Sequence, residues 1–207
     1  THRMSSAASD VYKRQGTSIY FSQTGTSWLE INRASVASSG DNHTAFTGRS
    51  ILTRTNQGQC QFALFESATS NYGTLIIADG VNKPYAFRME GTGSLTSRTF
   101  FGEEITVTGT KGVEYITVHD KHLIAAGVED NLNTIFYSGT LDPTDFTSTG
   151  SGSISLEDQI KGIKSFRNEL FIFCENSIFK LQNINNSSAI AVVQVTKKVG
   201  CLSVHSI

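Results

Sequence analysis

Residues 113–128, VEYITVHDKHLIAAGV, and residues 161–174, KGIKSFRNELFIFC, decide the fold. Each reads as an apolar strand, a two-residue polar turn and a second apolar strand. Ile116 stands seven residues before Leu123 and Ile163 seven before Leu170, with Asp120-Lys121 and Arg167-Asn168 in the gaps. A third run of the same kind, Leu75-Ile76-Ile77-Ala78, lies upstream. The runs at Leu75, Leu123 and Leu170 begin 48 and then 47 residues apart (123−75 and 170−123). Each is followed, after a short polar turn, by a strand carrying an aromatic: Pro84-Tyr85-Ala86-Phe87, Thr134-Ile135-Phe136-Tyr137 and Ser177-Ile178-Phe179-Lys180. A period of about 40–50 residues is that of one four-stranded propeller blade.

Working outward from these runs gives whole units. The spacing predicts strands at 113–119, 123–128, 134–138 and 153–156, with Asp142-Pro143 and several glycines in the last connection. The order repeats at 161–166, 169–174, 177–181 and 189–195. Upstream, alternation begins at Ser18, and Trp28 to Ile31, 50–55 and 60–66 are further candidates, with 35–48 a polar loop. A short helical turn is an option at Glu157-Asp158-Gln159. The expectation is an all-β chain: a partial β-propeller of about three four-stranded antiparallel blades, at roughly 60–111, 112–158 and 159–199. Residues 200–207 read as the opening of a further blade. Closed propellers need about four to eight blades, and an open arc exposes sheet edges. The expected molecule is therefore a fragment of a larger ring.

Composition agrees. Among 207 residues, 18 are Gly and only 2 are Pro, which suits many short strands joined by tight turns. Charged residues make up 17% of the chain and the net charge is −1. No electrostatic footprint for sequence-specific nucleic-acid binding or an anionic membrane surface follows from that. The longest apolar runs fall far short of the roughly 20 residues of a membrane-spanning helix. Cys60, Cys174 and Cys201 are odd in number and widely spaced, so they read as buried thiols rather than as a disulfide framework or zinc site.

No catalytic constellation stands out, and the chain is expected not to be an enzyme. His119 and His122 flank a turn and read as solvated there, without the further donors a metal needs. The acidic pairs Glu103-Glu104, Glu129-Asp130 and Glu157-Asp158 read as solvated loops, since neighbouring strand residues point to opposite faces. No G-x-S-x-G and no phosphate-cradling loop is present, so neither a cofactor nor a metal is implied.

Two resemblances add to this reading. Residues 1–15, THRMSSAASDVYKRQ, resemble a translated sequencing-adapter tail, which makes them an expected non-native, disordered leader before a scaffold at 16–207. The second resemblance rests on Tyr137-Ser138, Leu141-Asp142-Pro143-Thr144-Asp145-Phe146, Gly152-Ser153-Ile154 and Ile160-Lys161-Gly162-Ile163, with Gly200-Cys201-Leu202-Ser203 downstream. This set is similar to a signature of bacteriophage virion proteins with propeller domains, most like the nozzle or tail-tube proteins of short-tailed phages. The resemblance implies a structural signature at Tyr137, Ser138, Asp142, Pro143, Phe146, Gly152 and Gly162. Pro143 fixes its own φ and Asp142 caps the turn, letting Phe146 fold back on the blade. It also implies a tail-associated scaffold, made in the host cytoplasm and located in the virion. Its partners would be other copies in a homo-oligomeric ring and tail or head-tail connector proteins, with no membrane. A propeller that binds glycans or host-surface molecules is the alternative.

Overall fold

The computed structural model describes residues 3–6, 10–15, 18–22, 29–30, 60–66, 73–90, 99–110, 112–186 and 188–202; for 3–30, 88–90 and 99–102 it describes the backbone alone. Among the described residues every regular element is a strand. In chain order these are β1 (Arg3–Ser6), β2 (Asp10–Gln15), β3 (Ser18–Ser22), β4 (Leu29–Glu30), β5 (Gln61–Phe65), β6 (Thr74–Ala78), β7 (Tyr85–Glu90) and β8 (Thr99–Glu104). They continue with β9 (Val113–His119), β10 (His122–Val128), β11 (Thr134–Tyr137), β12 (Gly152–Ser155), β13 (Ile160–Phe166), β14 (Glu169–Cys174), β15 (Ser177–Gln182) and β16 (Ala191–Lys197). They form four antiparallel four-stranded sheets, each made of strands consecutive in sequence: β1–β4, β5–β8, β9–β12 and β13–β16. No helix among the described residues is long and apolar enough to cross a membrane.

The tight turns explain why the repeat holds its register. His119 pairs with His122 around Asp120 and Lys121, whose φ angles are 47° and 67°. Phe166 pairs with Glu169 around Arg167 and Asn168, at 49° and 61°. Two consecutive left-handed residues make the turn whose twist matches a hairpin, and short polar residues tolerate that conformation best. The consequence is equivalent pairing: Ile116 faces Ala125 in one sheet, and Ile163 faces Ile172 in the next.

Side-chain direction then stacks the sheets. All seven residues of β10 are buried, as expected of a strand covered on both faces. Leu123 and Ala125 enter one core with Ala63, Phe65, Ile76 and Ala86 from the preceding sheet. Ile124 and Ala126 enter another with Ile163, Leu170, Ile172 and Phe179 from the following sheet. The β9–β12 sheet is thus the middle layer of three. Neighbouring sheets approach most closely along their first strands, β5 with β9 and β9 with β13.

The same junction recurs between sheets. The turn after the second strand of one sheet bonds the start of the next. Gly80 N–H donates to Val113 O at 2.8 Å, and Ile160 N–H donates to Leu132 O at 2.9 Å. After β16 a related contact is made to the end of the second strand, with Cys201 N–H donating to the carbonyl of Cys174, the last residue of β14, at 2.8 Å. Gly112 and Gly200 make the approach possible, because a Cβ on them would fall 2.5 Å from the Val81 carbonyl carbon and 2.2 Å from Glu175 O.

Several expectations need correction or completion. The leader expected to be disordered contains β1 and β2; β1 pairs with β2, and β2 with β3. Val11-Tyr12 supplies strand-favouring residues there, and Gln15 pairs with Ser18 as in a hairpin. A fourth sheet therefore joins the three over 61–197. Strand β8 had no sequence signal of its own. Residues 157–158 form a bend and no helical turn is found at 157–159. The loop expected at 35–48, the strand at 50–55 and most of the opening at 200–207 lie outside the described residues.

Candidate functional site

Six of the seven signature residues lie in the β11–β12 hairpin, Tyr137 and Gly152 at its strand ends and the other four in the connection between them. Ser138, fully buried, carries the β10–β11 pairing one step past the strand end. Its N–H donates to Leu123 O at 2.9 Å, its Oγ accepts Leu123 N–H at 2.9 Å, and its hydroxyl donates to Gly139 O at 2.9 Å. Tyr137 points into the core shared with β13–β16. Its partner across the ladder is Gly152, where a Cβ would lie 2.5 Å from the Tyr137 hydroxyl oxygen. Glycine at 152 is what leaves the ring room.

The connection closes on itself. Asp142 Oδ1 accepts the Thr144 N–H at 2.9 Å and its hydroxyl at 2.8 Å, with Pro143 buried between them. Asp145 Oδ1 accepts from Thr147 N–H at 2.8 Å and Ser148 N–H at 3.0 Å. Hydrogen bonds from Ser148 and Thr147 pull this exposed carboxyl down to about 2. Asp145 O accepts Gly139 N–H at 2.8 Å, and Leu141 N–H reaches Lys121 O at 2.8 Å. Phe146 is half-buried against the core between β5–β8 and β9–β12. Gly162 stands apart, buried in the next sheet where the β13–β14 register shifts.

His119 and His122 overturn the solvated-turn expectation. Their exposures are 7% and 1%, while Asp120 and Lys121 between them are exposed. The left-handed turn sends both rings inward, and both bridge sheets. His119 Nδ1 meets Ser165 Oγ at 2.9 Å. His122 Nδ1 donates to Ser138 O at 2.5 Å, and its Nε2 lies 2.9 Å from Asn185 Oδ1 and 3.3 Å from Thr140 Oγ. Asn185 Nδ2 donates in turn to the Asp120 carboxylate and backbone carbonyl. The Tyr137 ring meets His122 edge-on at 6.0 Å. Burial holds the His119 imidazole below its ordinary value.

Asp158, expected as half of a solvated acidic pair, is also a bridge. Its carboxylate accepts Asn176 N–H and the Ser177 hydroxyl at 2.7 Å each, and Gln159 N–H at 2.9 Å. Burial works upward on its carboxyl, but the bonds from Ser177 and Asn176 outweigh that and leave it below the ordinary value. The three cysteines are buried and form no disulfide among the described residues. Burial pushes the Cys174 thiol up to about 12. The described residues contain no group of three or more His, Cys, Asp or Glu side chains placed to share a metal ion. The polar clusters described above join strand to strand and sheet to sheet through their hydrogen bonds. No family model and no curated protein matches the chain.

Proposed function

We propose that the chain is a structural component of a bacteriophage virion. In this reading its sheets are propeller blades in a tail-associated scaffold that supports tail assembly and DNA passage, without catalysis. The observation that carries the scaffold reading is the repeated junction: twice, the start of a new sheet is bonded to the turn after the second strand of the sheet before it, and after β16 Cys201 is bonded to the end of the second strand β14. Close approach along first strands supports a radial array, because blades converge on their innermost strands. The phage assignment rests on the similarity of residues 133–163 to the virion signature. A glycan platform finds less support, since Tyr137 and Phe146, the aromatics of that connection, pack inward.

The test is proteomic. Virions banded by density and treated with nuclease should yield peptides of this chain in fixed ratio to the capsid protein. Peptides confined to the soluble lysate would overturn the reading. Binding on a glycan array that Phe146→Ala abolishes would favour the alternative.

A further inference from the structure

The His122 ring is tied at both nitrogens to acceptor oxygens. Nδ1 faces the Ser138 backbone carbonyl at 2.5 Å, so a proton stands there. Nε2 faces the Asn185 side chain at 2.9 Å. Which end of that amide it meets is fixed on the amide's far side. There the amide meets the Asp120 carboxylate and the Asp120 backbone carbonyl, two acceptors, and must present its nitrogen to them. Turning the amide over would set its oxygen against both. Oδ1 therefore faces Nε2, and an acceptor there requires a second N–H on the ring. Thr140 Oγ, 3.3 Å from Nε2, can accept from the same proton. An imidazole with both nitrogens protonated is a cation, and this one is 1% exposed.

We propose that His122 is held as an imidazolium, the buried end of a His122–Asn185–Asp120 relay that clasps the β9–β12 sheet to the connection after β15 and acts as a pH-sensitive switch. A buried charge persists only when it is paired and hydrogen-bonded, and the relay supplies both. Asp120, exposed on the turn, is the anion, and the Asn185 amide carries its pull inward to the ring. The neighbouring groups leave room for one cation. Burial, opposed by the charge of Asp120 and reinforced by that of His122, holds His119 below its ordinary value, so that ring stays neutral beside Ser165. Lys121 lies exposed on the same turn. On the facing sheet Arg167 is drawn over Phe166, 5.1 Å from the ring centre, and Glu169 is paired with Lys180. The Tyr137 ring packs perpendicular to the imidazole, at 84°. Loss of the Nε2 proton sets two lone pairs against each other across 2.9 Å, so Asn185 must swing away and the β15–β16 connection loses its hold on the other sheet. The clasp is closed while the ring holds both protons and loosened when base removes one.

The experiment is a long-range proton–nitrogen correlation spectrum of the isotope-labelled 207-residue chain, with His122 assigned through its own backbone. At about pH 7, where an unperturbed imidazole is mostly neutral, both His122 ring nitrogens should carry protons. A bare Nε2 overturns the proposal. Asp120→Asn and Asn185→Ala, both at exposed positions, should each let the Nε2 proton leave at a lower pH than in the parent. A His122 ring that titrates in both variants as it does in the parent overturns the relay, because a merely structural bridge would not move that titration. The clasp itself is read from Asn185. As the Nε2 proton is lost, the Asn185 side-chain amide hydrogens should exchange several-fold faster relative to those of Asn183, which donates to Ala189 O at 3.2 Å. An Asn185 amide that keeps pace with Asn183 overturns the switch.

Discussion

Leu123 and Ile124 are neighbours in one strand, both at 0% exposure, and they belong to different cores. Leu123 packs toward the preceding sheet and Ile124 toward the following one. That division, set by the two-residue period of a strand, turns a single hairpin into the middle layer of a stack. Their equivalents Leu170 and Phe171 divide in the same way, except that Phe171 faces no described sheet.

The Tyr137–Gly152 contact gives a sharp mutational test. In Gly152→Ala the new methyl meets the tyrosine hydroxyl at 2.5 Å, and the ring sits in a core that cannot give way cheaply. Overpacking of this kind costs about 1–3 kcal/mol. Ser153→Ala, one residue on and exposed, should stay within about 0.5 kcal/mol of the parent. Urea unfolding of the two variants makes the comparison.

The His122–Asn185 bridge joins residues 63 apart in sequence. A double-mutant cycle with His122→Ala and Asn185→Ala should return a coupling of about 1 kcal/mol, within the range for residues sharing one hydrogen-bond network. Additive losses would mean that the two side chains do not interact in solution.

Burial disfavours the charged form of His119. Below its ordinary value of about 6.5, the unfolded chain takes up the proton more readily than the folded one. Stability from this group is therefore whole above that pH and falls as the pH drops through it toward the folded value. Melting temperatures from pH 7.5 down to about 5 should fall more steeply for the parent than for His119→Asn. Parallel curves would remove His119 from the account.

Cys174, with its thiol raised to about 12 by burial, should resist alkylation in the native protein at pH 8, because the thiolate is the reactive form. Mass spectrometry after iodoacetamide treatment should show slow modification at Cys174 before denaturation and rapid modification after it. Rapid native labelling would place the residue at the surface.

Much of the fold is legible in the sequence, for identifiable reasons. Strands β9–β11 and β13–β15 could be read because an unbroken apolar run such as Leu123 to Val128 and a turn such as Arg167-Asn168 are both local signals. Thr99–Glu104 was not legible, since its role as fourth strand is set by pairing with β7. The histidines were misread for a related reason. Nothing near His122 announces that Asn185 will arrive beside it, and a polar turn normally points its flanks to water. Asp158 likewise takes its role from Asn176 and Ser177, which meet it only once β13 pairs with β14. The β11–β12 signature was visible as a motif, but the packing of Tyr137 over Gly152 was not.

The central claim is that the β9–β12 sheet is covered by β5–β8 on one face and β13–β16 on the other through alternate side chains of the same strands. A methyl NOESY spectrum of the protein labelled at Ile, Leu and Val methyls tests it most directly. Leu123 should show cross-peaks to Ile76 and Ile105, and Ile124 to Leu170 and Ile172, with none joining Ile124 to Ile76. Cross-peaks from both residues to the same set of methyls would contradict the stacked arrangement.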